Sequence, residues 1–136
     1  MTDMSDADQQ PTVDTGETLA VLAARTASDM KASDVIVLDV GAVLSITGYF
    51  VIASASNPRQ VRAVVDEIEA RIKRELGRPP VRTEGIREQQ WTLIDYGDVV
   101  VHVFLESIRE FYEIERLYMD APRVEWEQPP AATGTD

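Results

Sequence analysis

The stretch that decides the fold reads Trp91-Thr-Leu-Ile-Asp-Tyr-Gly-Asp-Val-Val-Val-His-Val-Phe104. Two runs rich in β-branched and aromatic residues flank a Tyr-Gly-Asp sequence, a combination that is typical of a β-hairpin. Side chains alternate across a strand, so one face of this hairpin should be apolar and belong to the core. The residues of that face are Thr92, Ile94, Val99, Val101 and Val103.

The opposite face of the hairpin mixes aromatic, acidic and histidine side chains. This composition favours cover by water or by a partner rather than a second hydrophobic core. Its residues are Trp91, Leu93, Asp95, Asp98, Val100, His102 and Phe104.

The turn leaves two pairing registers open. If Tyr96 and the glycine after it form a two-residue turn, Trp91 pairs with His102. If residues 95–97 form a three-residue loop with a left-handed glycine, Trp91 lies across from Val101. The two-residue turn would place Tyr96 at a positive φ, which is unfavourable for tyrosine, so the second register stays open. The sequence alone does not select between the two registers.

The segments before the hairpin alternate between helix-like and strand-like patterns. An apolar stripe after a capping Thr18 predicts a first helix, and Val35–Val40 and Tyr49–Ser54 predict two strands. A longer helix should begin at Pro58, because proline suits the first helical turn, and should end at Gly77.

Two further elements complete the predicted order. A short extended piece is expected near Val81–Glu84, between the long helix and the hairpin. After the hairpin, Ser107-Ile-Arg-Glu110 has the pattern of a capping box that opens a last helix. The apolar stripe of that helix would be Phe111, Ile114, Leu117 and Tyr118. The order α-β-β-α-(β)-β-β-α predicts an α+β domain with a mixed sheet flanked by helices.

The composition excludes several classes of function. The 136 residues contain 13 Lys and Arg against 24 Asp and Glu, a net charge of −11, which argues against a general binder of nucleic-acid backbone and allows a basic protein surface as partner. The absence of cysteine excludes disulfides and thiolate catalysis, and one histidine excludes a multi-histidine metal site. No apolar run approaches the ~20 residues of a membrane helix, so we expect a cytoplasmic protein without a membrane partner.

The charges are distributed unevenly along the chain. Residues 1–17 read as a disordered acidic tail, 18–126 as the folded domain and 127–136 as a second disordered tail. Residues 58–87 carry 8 basic and 5 acidic side chains, whereas residues 88–136 carry 3 basic and 11 acidic ones. The acidic C-terminal half is therefore the better place to look for a cationic partner.

Individual side chains of the hairpin each have a structural and a functional interpretation. Trp91 is either an interface anchor or a half-buried core residue. A lone His102 in a strand is more often structural than catalytic, and Asp95 and Asp98 bracket a turn in which Asp is favoured by its local hydrogen bonds. The aromatic residues of the last helix, including Tyr112, read as packing more readily than as binding.

These residues resemble the ribosomal silencing factor family, also called RsfS or Iojap-like. The resemblance extends from about residue 18 to 123, and Asp95-Tyr-Gly-Asp-Val-Val-Val-His-Val-Phe104 is its most specific part. Three positions depart from the family pattern: Gly48, Ala55 and Pro58. The other matching segments are Ser45-Ile-Thr-Gly-Tyr-Phe-Val-Ile-Ala-Ser54, Arg59-Gln-Val61, Glu84-Gly85, Trp91, Arg109-Glu-Phe-Tyr-Glu-Ile-Glu-Arg-Leu-Tyr118 and Asp120-Ala-Pro122.

The resemblance implies a translational repressor that is not an enzyme and needs no cofactor or metal. Members of the family bind the large ribosomal subunit through ribosomal protein L-fourteen, at a surface that the small subunit needs for joining. They thereby silence translation under nutrient limitation, as in stationary phase. Their fold resembles a nucleotidyltransferase topology without its active site. Carried over by motif position, the partner-binding candidates are Trp91, Asp95, Tyr96, Asp98, His102 and Tyr112.

Other functions stay open at this point. The arginines of residues 59–87 suggest an RNA-binding ribosome-associated or assembly factor, or an edge contact with ribosomal RNA. An apolar face that is left uncovered in the free protein could support a homodimer.

A nucleotidyltransferase-like enzyme is the remaining alternative. It would need carboxylates that converge on Mg²⁺ and a glycine-rich turn for the triphosphate. The sequence offers neither an Asp-x-Asp strand nor a Gly-Ser pair at a helix start. Its candidate carboxylates are Asp34, Asp39, Asp95 and Asp98.

Overall fold

A five-stranded mixed sheet organises the chain, and the predicted order of elements is confirmed. The computed structural model describes residues 15–127, so residues 1–14 and 128–136, which hold most of both predicted tails, lie outside the described residues. The elements are α1 (Thr15–Asp29), β1 (Ser33–Asp39), β2 (Tyr49–Ala55), α2 (Pro58–Leu76), β3 (Arg82–Glu84), β4 (Trp91–Asp95), β5 (Val99–Leu105), α3 (Glu106–Tyr112) and a 3₁₀ helix (Ile114–Tyr118).

The strands follow the order β1-β2-β5-β4-β3. The central pair β2 and β5 is parallel, and every other neighbouring pair is antiparallel. Strand β5 therefore lies in the interior of the sheet, and its side chains are buried on both faces, as is usual for parallel strands.

Helices α1 and α2 cover one face of the sheet and form the main core with it. Asn57 caps α2 by accepting a hydrogen bond from the Gln60 amide at 2.8 Å, Pro58 occupies the first turn, and left-handed Gly77 ends the helix. The hairpin face that was predicted to be apolar is buried here, which confirms that prediction. The sheet contributes Val37, Val51, Ala53, Ile94, Val99, Val101 and Val103 to this core, and α2 contributes Val61, Val64, Val65, Ile68 and Ile72.

The opposite face of the sheet carries a second apolar cluster, so the expectation that water or a partner covers it is wrong in part. The C-terminal segment folds over this face and buries Phe104 and His102. The cluster arises because Leu38, Phe50 and Ile52 on β1 and β2 face the same side. Its other buried members are Val40, Ile114 and Ala121.

The hairpin register differs from both predicted alternatives. Trp91 pairs with Phe104, and the two turn residues are Gly97 and Asp98, with the Tyr96 amide donating to the Val99 carbonyl at 2.9 Å. Glycine takes the turn position with φ +94° because a tyrosine there would be strained. The shift from the first predicted register is two residues, so every side chain keeps its predicted face.

Two helix starts were predicted wrongly. Helix α1 begins at Thr15 rather than after Thr18, and α3 begins at Glu106 without a side-chain cap, so Ser107 does not form the predicted capping box. The last helix is also interrupted, because Glu113 adopts a left-handed φ of +48° and a 3₁₀ turn follows it. The predicted apolar stripe consequently splits: Ile114 is buried, while Phe111 and Leu117 face outward.

The chain after the 3₁₀ helix runs along the edge of β1. Arg123 bridges to Leu38, and the Val124 amide donates to the Val37 carbonyl at 2.9 Å. The Trp126 indole donates to the Val35 carbonyl at 3.1 Å, and Arg25 of α1 in turn donates to the Trp126 carbonyl. This segment satisfies the backbone groups that an edge strand would otherwise leave open to another chain.

Replacing Gly85 by alanine should destabilise the protein more than the same change at Gly77. Both glycines have a positive φ, but a Cβ at Gly85 would collide with the Trp91 carbonyl oxygen, whereas a Cβ at Gly77 meets nothing within 4 Å. We expect the free energy of unfolding to fall by about 1 kcal/mol for Gly77→Ala, from backbone strain. For Gly85→Ala the loss should be about 3 kcal/mol or more, because overpacking adds to strain. Equal losses in urea denaturation would contradict this close approach.

Candidate partner-binding site

The six predicted partner-binding residues divide into accessible and buried ones. Tyr112 is 52% exposed, and Trp91, Asp95 and Asp98 are half-buried. Tyr96 and His102 are only 3% and 5% exposed. The two buried residues do not reach the surface, so any effect that they have on binding must act through their neighbours.

Trp91 lies at the start of β4 and joins the buried cluster to the surface. Its indole ring stacks on Phe104, with 4.7 Å between ring centroids, and contacts Tyr112 at 5.1 Å. The indole nitrogen donates a hydrogen bond to Nδ1 of His102 at 3.1 Å. Trp91 is therefore half-buried, with one side packed in the core and the other at the surface, and its role as an interface anchor stays a prediction.

His102 is held in its neutral form by its surroundings. The ring lies edge-on to Phe50, with centroids 4.7 Å apart, and burial lowers the pKa of His102 from 6.5 to about 4. Since Nδ1 accepts the Trp91 hydrogen bond, the proton of the neutral ring resides on Nε2. Within residues 15–127, that buried Nε2 has no hydrogen-bond partner.

Tyr96 belongs to the main core rather than to the surface of the hairpin. Its ring packs with the α1 and α2 side of the sheet, and burial together with the nearby Glu69 carboxylate raises the pKa of its phenol above the ordinary value. The residue precedes the turn and sets the register of the hairpin through its backbone bond to Val99. Its position is therefore explained by folding.

The two acidic candidates are bound to neighbouring groups. Asp98 pairs with both terminal nitrogens of Arg78, at 2.8 and 3.2 Å, and this hydrogen bonding raises the pKa of the guanidinium above its usual value. Asp95 accepts the Gly97 amide at 2.8 Å and lies 3.7 Å from Arg82. Both carboxylates thus stabilise the turn region of the hairpin.

An exposed aromatic surface adjoins Trp91, and sequence reasoning missed part of it. Phe111 is 79% exposed and packs edge-on against Tyr112, with centroids 5.0 Å apart. We call Trp91, Phe111 and Tyr112 together the aromatic surface. The sequence placed Phe111 in an apolar stripe, but in the structure Phe111 lies on the exposed side of α3, one residue before its C-terminal end. Leu117 and Met119, on and just after the 3₁₀ helix, are also exposed.

A cleft of about 780 Å³ lies where β1, β2 and α3 meet, and its polar centre is Arg109. The guanidinium of this buried arginine donates to the Asp34 carbonyl at 2.6 Å and the Ser54 hydroxyl at 2.8 Å, and its Nε donates to Glu115 at 3.2 Å. These bonds attach α3 to the sheet. From Thr15 to Glu127, no group of three or more acidic or histidine side chains is arranged to hold a metal ion. No helix in the same range is long and apolar enough to cross a membrane.

Acidification from pH 6.5 to pH 4 should destabilise the protein through His102. The unfolded chain takes up the imidazole proton near pH 6.5, whereas the folded chain takes it up only near pH 4. The contribution of His102 to the free energy of unfolding is therefore fully present above pH 6.5 and is lost below it. At pH 4 the free energy of unfolding is lower by about 3 kcal/mol because of this residue.

Urea denaturation of wild type and His102→Asn across pH 4 to 8 measures this contribution. The variant and wild type have the same carboxylates. The difference between their slopes of unfolding free energy against pH therefore measures the contribution of the imidazole alone. Since His102 is the chain's single histidine, its ring resonance should also titrate near pH 4. Identical slopes for the two proteins would disprove the assignment.

Comparison with known proteins confirms the resemblance. The sequence profile of the family described as ribosomal silencing factor during starvation matches residues 13–136. Ribosomal silencing factor RsfS of Halalkalibacterium halodurans is 38% identical over 109 residues, which cover 80% of this chain and 92% of that protein. A crystal structure of a protein from Chromobacterium violaceum has a TM-score of 0.72 at 33% identity, covering 83% of this chain and 88% of the other.

A more distant relative has a different name. The mouse protein called Mitochondrial assembly of ribosomal large subunit protein 1 is 35% identical over 90 residues, which cover 65% of this chain and 40% of the mouse protein. The profile match covers most of the chain, and the bacterial relative matches over most of its own length. The chain therefore belongs to the ribosomal silencing factor family.

Proposed function

We propose that this protein is a cytoplasmic translational repressor that binds the large ribosomal subunit through ribosomal protein L-fourteen. Bound there, it sterically blocks joining of the small subunit and silences translation under nutrient limitation. Membership of the silencing factor family supports the role, and the mouse relative's name refers to the large subunit. The observation that carries the proposal is the exposed aromatic surface on the acidic C-terminal half of the chain.

The chemistry of this surface suits a basic protein. Tryptophan and tyrosine that are partly buried and partly exposed are the residues that contribute most to protein interfaces. Carboxylates of α3 and the 3₁₀ helix add negative charge beside them, which steers a positively charged partner to this side and fixes its orientation. The acidic residues of this segment are Glu106, Glu110, Glu113 and Glu115. Glu113 and Glu115 are paired with Arg116 and Arg109, at 2.7 and 3.2 Å, so the steering charge comes mainly from Glu106 and Glu110.

Repression by this route needs no catalysed step, cofactor or metal. The relatives are named as silencing factors. In the cleft between β1, β2 and α3, the central Arg109 is engaged in attaching α3 to the sheet. A domain that occupies the subunit interface excludes the small subunit by its volume alone. The nucleotidyltransferase alternative has no arranged set of carboxylates to support it among residues 15–127.

A secondary contact with ribosomal RNA is the second candidate for the basic segment. Several of its arginines are already paired, since Arg62 bonds to Asp66 at 3.1 Å and Arg71 bonds to Asp29 at 2.9 Å. The pairing lowers the positive charge available for phosphates. We therefore assign RNA a contact at the edge of the docking site, and steep salt dependence of binding to free RNA would be required to give it a larger part.

A second copy of the chain is the alternative occupant of the aromatic surface when ribosomes are absent. Exposed apolar patches mark interaction sites, and most soluble oligomers are symmetric assemblies of one chain. Light scattering across a dilution series tests this homodimer. A mass that stays at one chain, 15.1 kDa, at every concentration would exclude it.

Tyr112→Ala and Trp91→Ala should each weaken binding to purified large subunits about 30-fold, because a central aromatic contributes about 2 kcal/mol to an interface. Val81→Ala is the matched control, since Val81 is an exposed apolar residue beside β3. Co-sedimentation with large subunits measures the affinities, and binding to isolated ribosomal protein L-fourteen identifies the partner.

Tyr112→Ala is the more informative of the two variants. It truncates an exposed ring, whereas Trp91→Ala also removes packing against Phe104 and lowers stability. Circular dichroism should show both proteins folded. Wild-type affinity in a folded Tyr112→Ala protein would exclude the aromatic surface as the docking site.

A further inference from the structure

A histidine at position 102 is unfavourable for the stability of the fold. It is buried among Phe50, Phe104 and Trp91, and its Nε2 has no hydrogen-bond partner among the described residues. A buried donor without an acceptor destabilises a fold, and an apolar ring of the same shape would avoid that cost. The side-chain hydrogen bond that His102 does make in the structure goes to Trp91.

The geometry of that bond constrains the indole. Trp91 lies directly opposite Phe104 across the strand pair, and His102 is the diagonal neighbour two residues earlier on β5. Phe104 stacks on the indole face, while Nδ1 of His102 receives the indole N–H at 3.1 Å. Stacking alone allows the ring to slide and to rotate within its plane, whereas the hydrogen bond selects one orientation.

We propose that His102 is a positioning residue for partner binding, which fixes the Trp91 indole so that the aromatic surface is already in its binding conformation in the free protein. This inference rests on the proposed function and specifies how its docking surface is ordered. An aromatic side chain that is ordered in advance loses less conformational freedom on binding, and this raises affinity without any new contact.

The neutral state of His102 keeps the acceptor available. Both ring nitrogens of a protonated imidazole are donors, so protonation would break the bond from Trp91. Burial keeps the pKa of His102 near 4, and the side chains packed on the ring are aromatic rather than charged. The orientation of Trp91 is therefore insensitive to pH above about 5.

The hydrogen bond is tested first in the free wild-type protein. In ¹⁵N-labelled protein, a scalar coupling between indole Nε1 of Trp91 and Nδ1 of His102 is expected, because the two nitrogens share one proton. Trp91→Phe assigns the resonance by removing it. Absence of the coupling at pH 7 overturns the proposal without requiring that any His102 variant folds.

Matched variants then test the positioning role. His102→Phe keeps a flat ring but removes the acceptor, whereas His102→Asn places an amide oxygen near the position of Nδ1. Exchange of the Trp91 indole proton should accelerate at least ~10-fold in His102→Phe and stay slow in His102→Asn. The Trp126 indole, bonded to Val35, is the internal control and should not change.

Binding to purified large subunits provides the functional readout. His102→Phe should bind about 5-fold more weakly, His102→Asn should retain most of the affinity, and replacing His102 in a Trp91→Phe background should have no further effect. If replacing His102 lowers the affinity as much in the Trp91→Phe protein as in wild type, His102 does not act through Trp91 and the proposal is overturned. If wild type itself does not bind large subunits while the coupling is present, the proposed function fails and the ordering of Trp91 by His102 stands.

Discussion

The parallel pairing of β2 with β5 is the constraint on which the rest of the structure depends. Residues Tyr49–Ala55 pair with Val99–Leu105 without a break, and this places β5 between two neighbours. Alternate side chains of β5 then supply the two cores. Val101 and Val103 pack under α1 and α2, whereas His102 and Phe104 pack under the C-terminal segment. A slip of one residue would exchange the two sets.

The second core connects this pairing to function. Phe104 and His102 on β5 form the base on which Trp91 rests, and the C-terminal segment that closes the core also carries Phe111 and Tyr112 at the surface. Burial of the segment is anchored by Arg109, which spans from α3 to the sheet. The same short stretch of chain therefore both completes the fold and presents two of the three residues of the aromatic surface.

Much of the fold could be predicted from the sequence because its signals are local. The β-branched runs, Pro58 and Gly77 each restrict the backbone directly, so the order of elements and the main hairpin face followed from them. The hairpin register was predicted wrongly because a left-handed Gly97 is compatible with more than one pairing of the residues on β4 and β5. The interrupted last helix was missed because Glu113 adopts an unfavourable left-handed conformation, which tertiary contacts of the adjacent Ile114 stabilise and local sequence does not announce.

For the candidate site, the sequence suggested which residues to inspect but not which of them are accessible. Motif positions brought together Trp91 and Tyr112 at one surface, but they did not distinguish exposed residues from the buried Tyr96 and His102. That distinction depends on which segment covers the second sheet face, and the covering segment lies beyond the hairpin in sequence. Phe111 was assigned to packing for the same reason.

The central claim is that the protein prevents the ribosomal subunits from joining. The direct measurement incubates purified large subunits with the protein, adds small subunits, and follows association by sedimentation. We predict that the protein migrates with large subunits and that whole ribosomes decrease in proportion to the large subunits it occupies. Formation of whole ribosomes at undiminished yield, with large subunits saturated by the protein, would contradict the account.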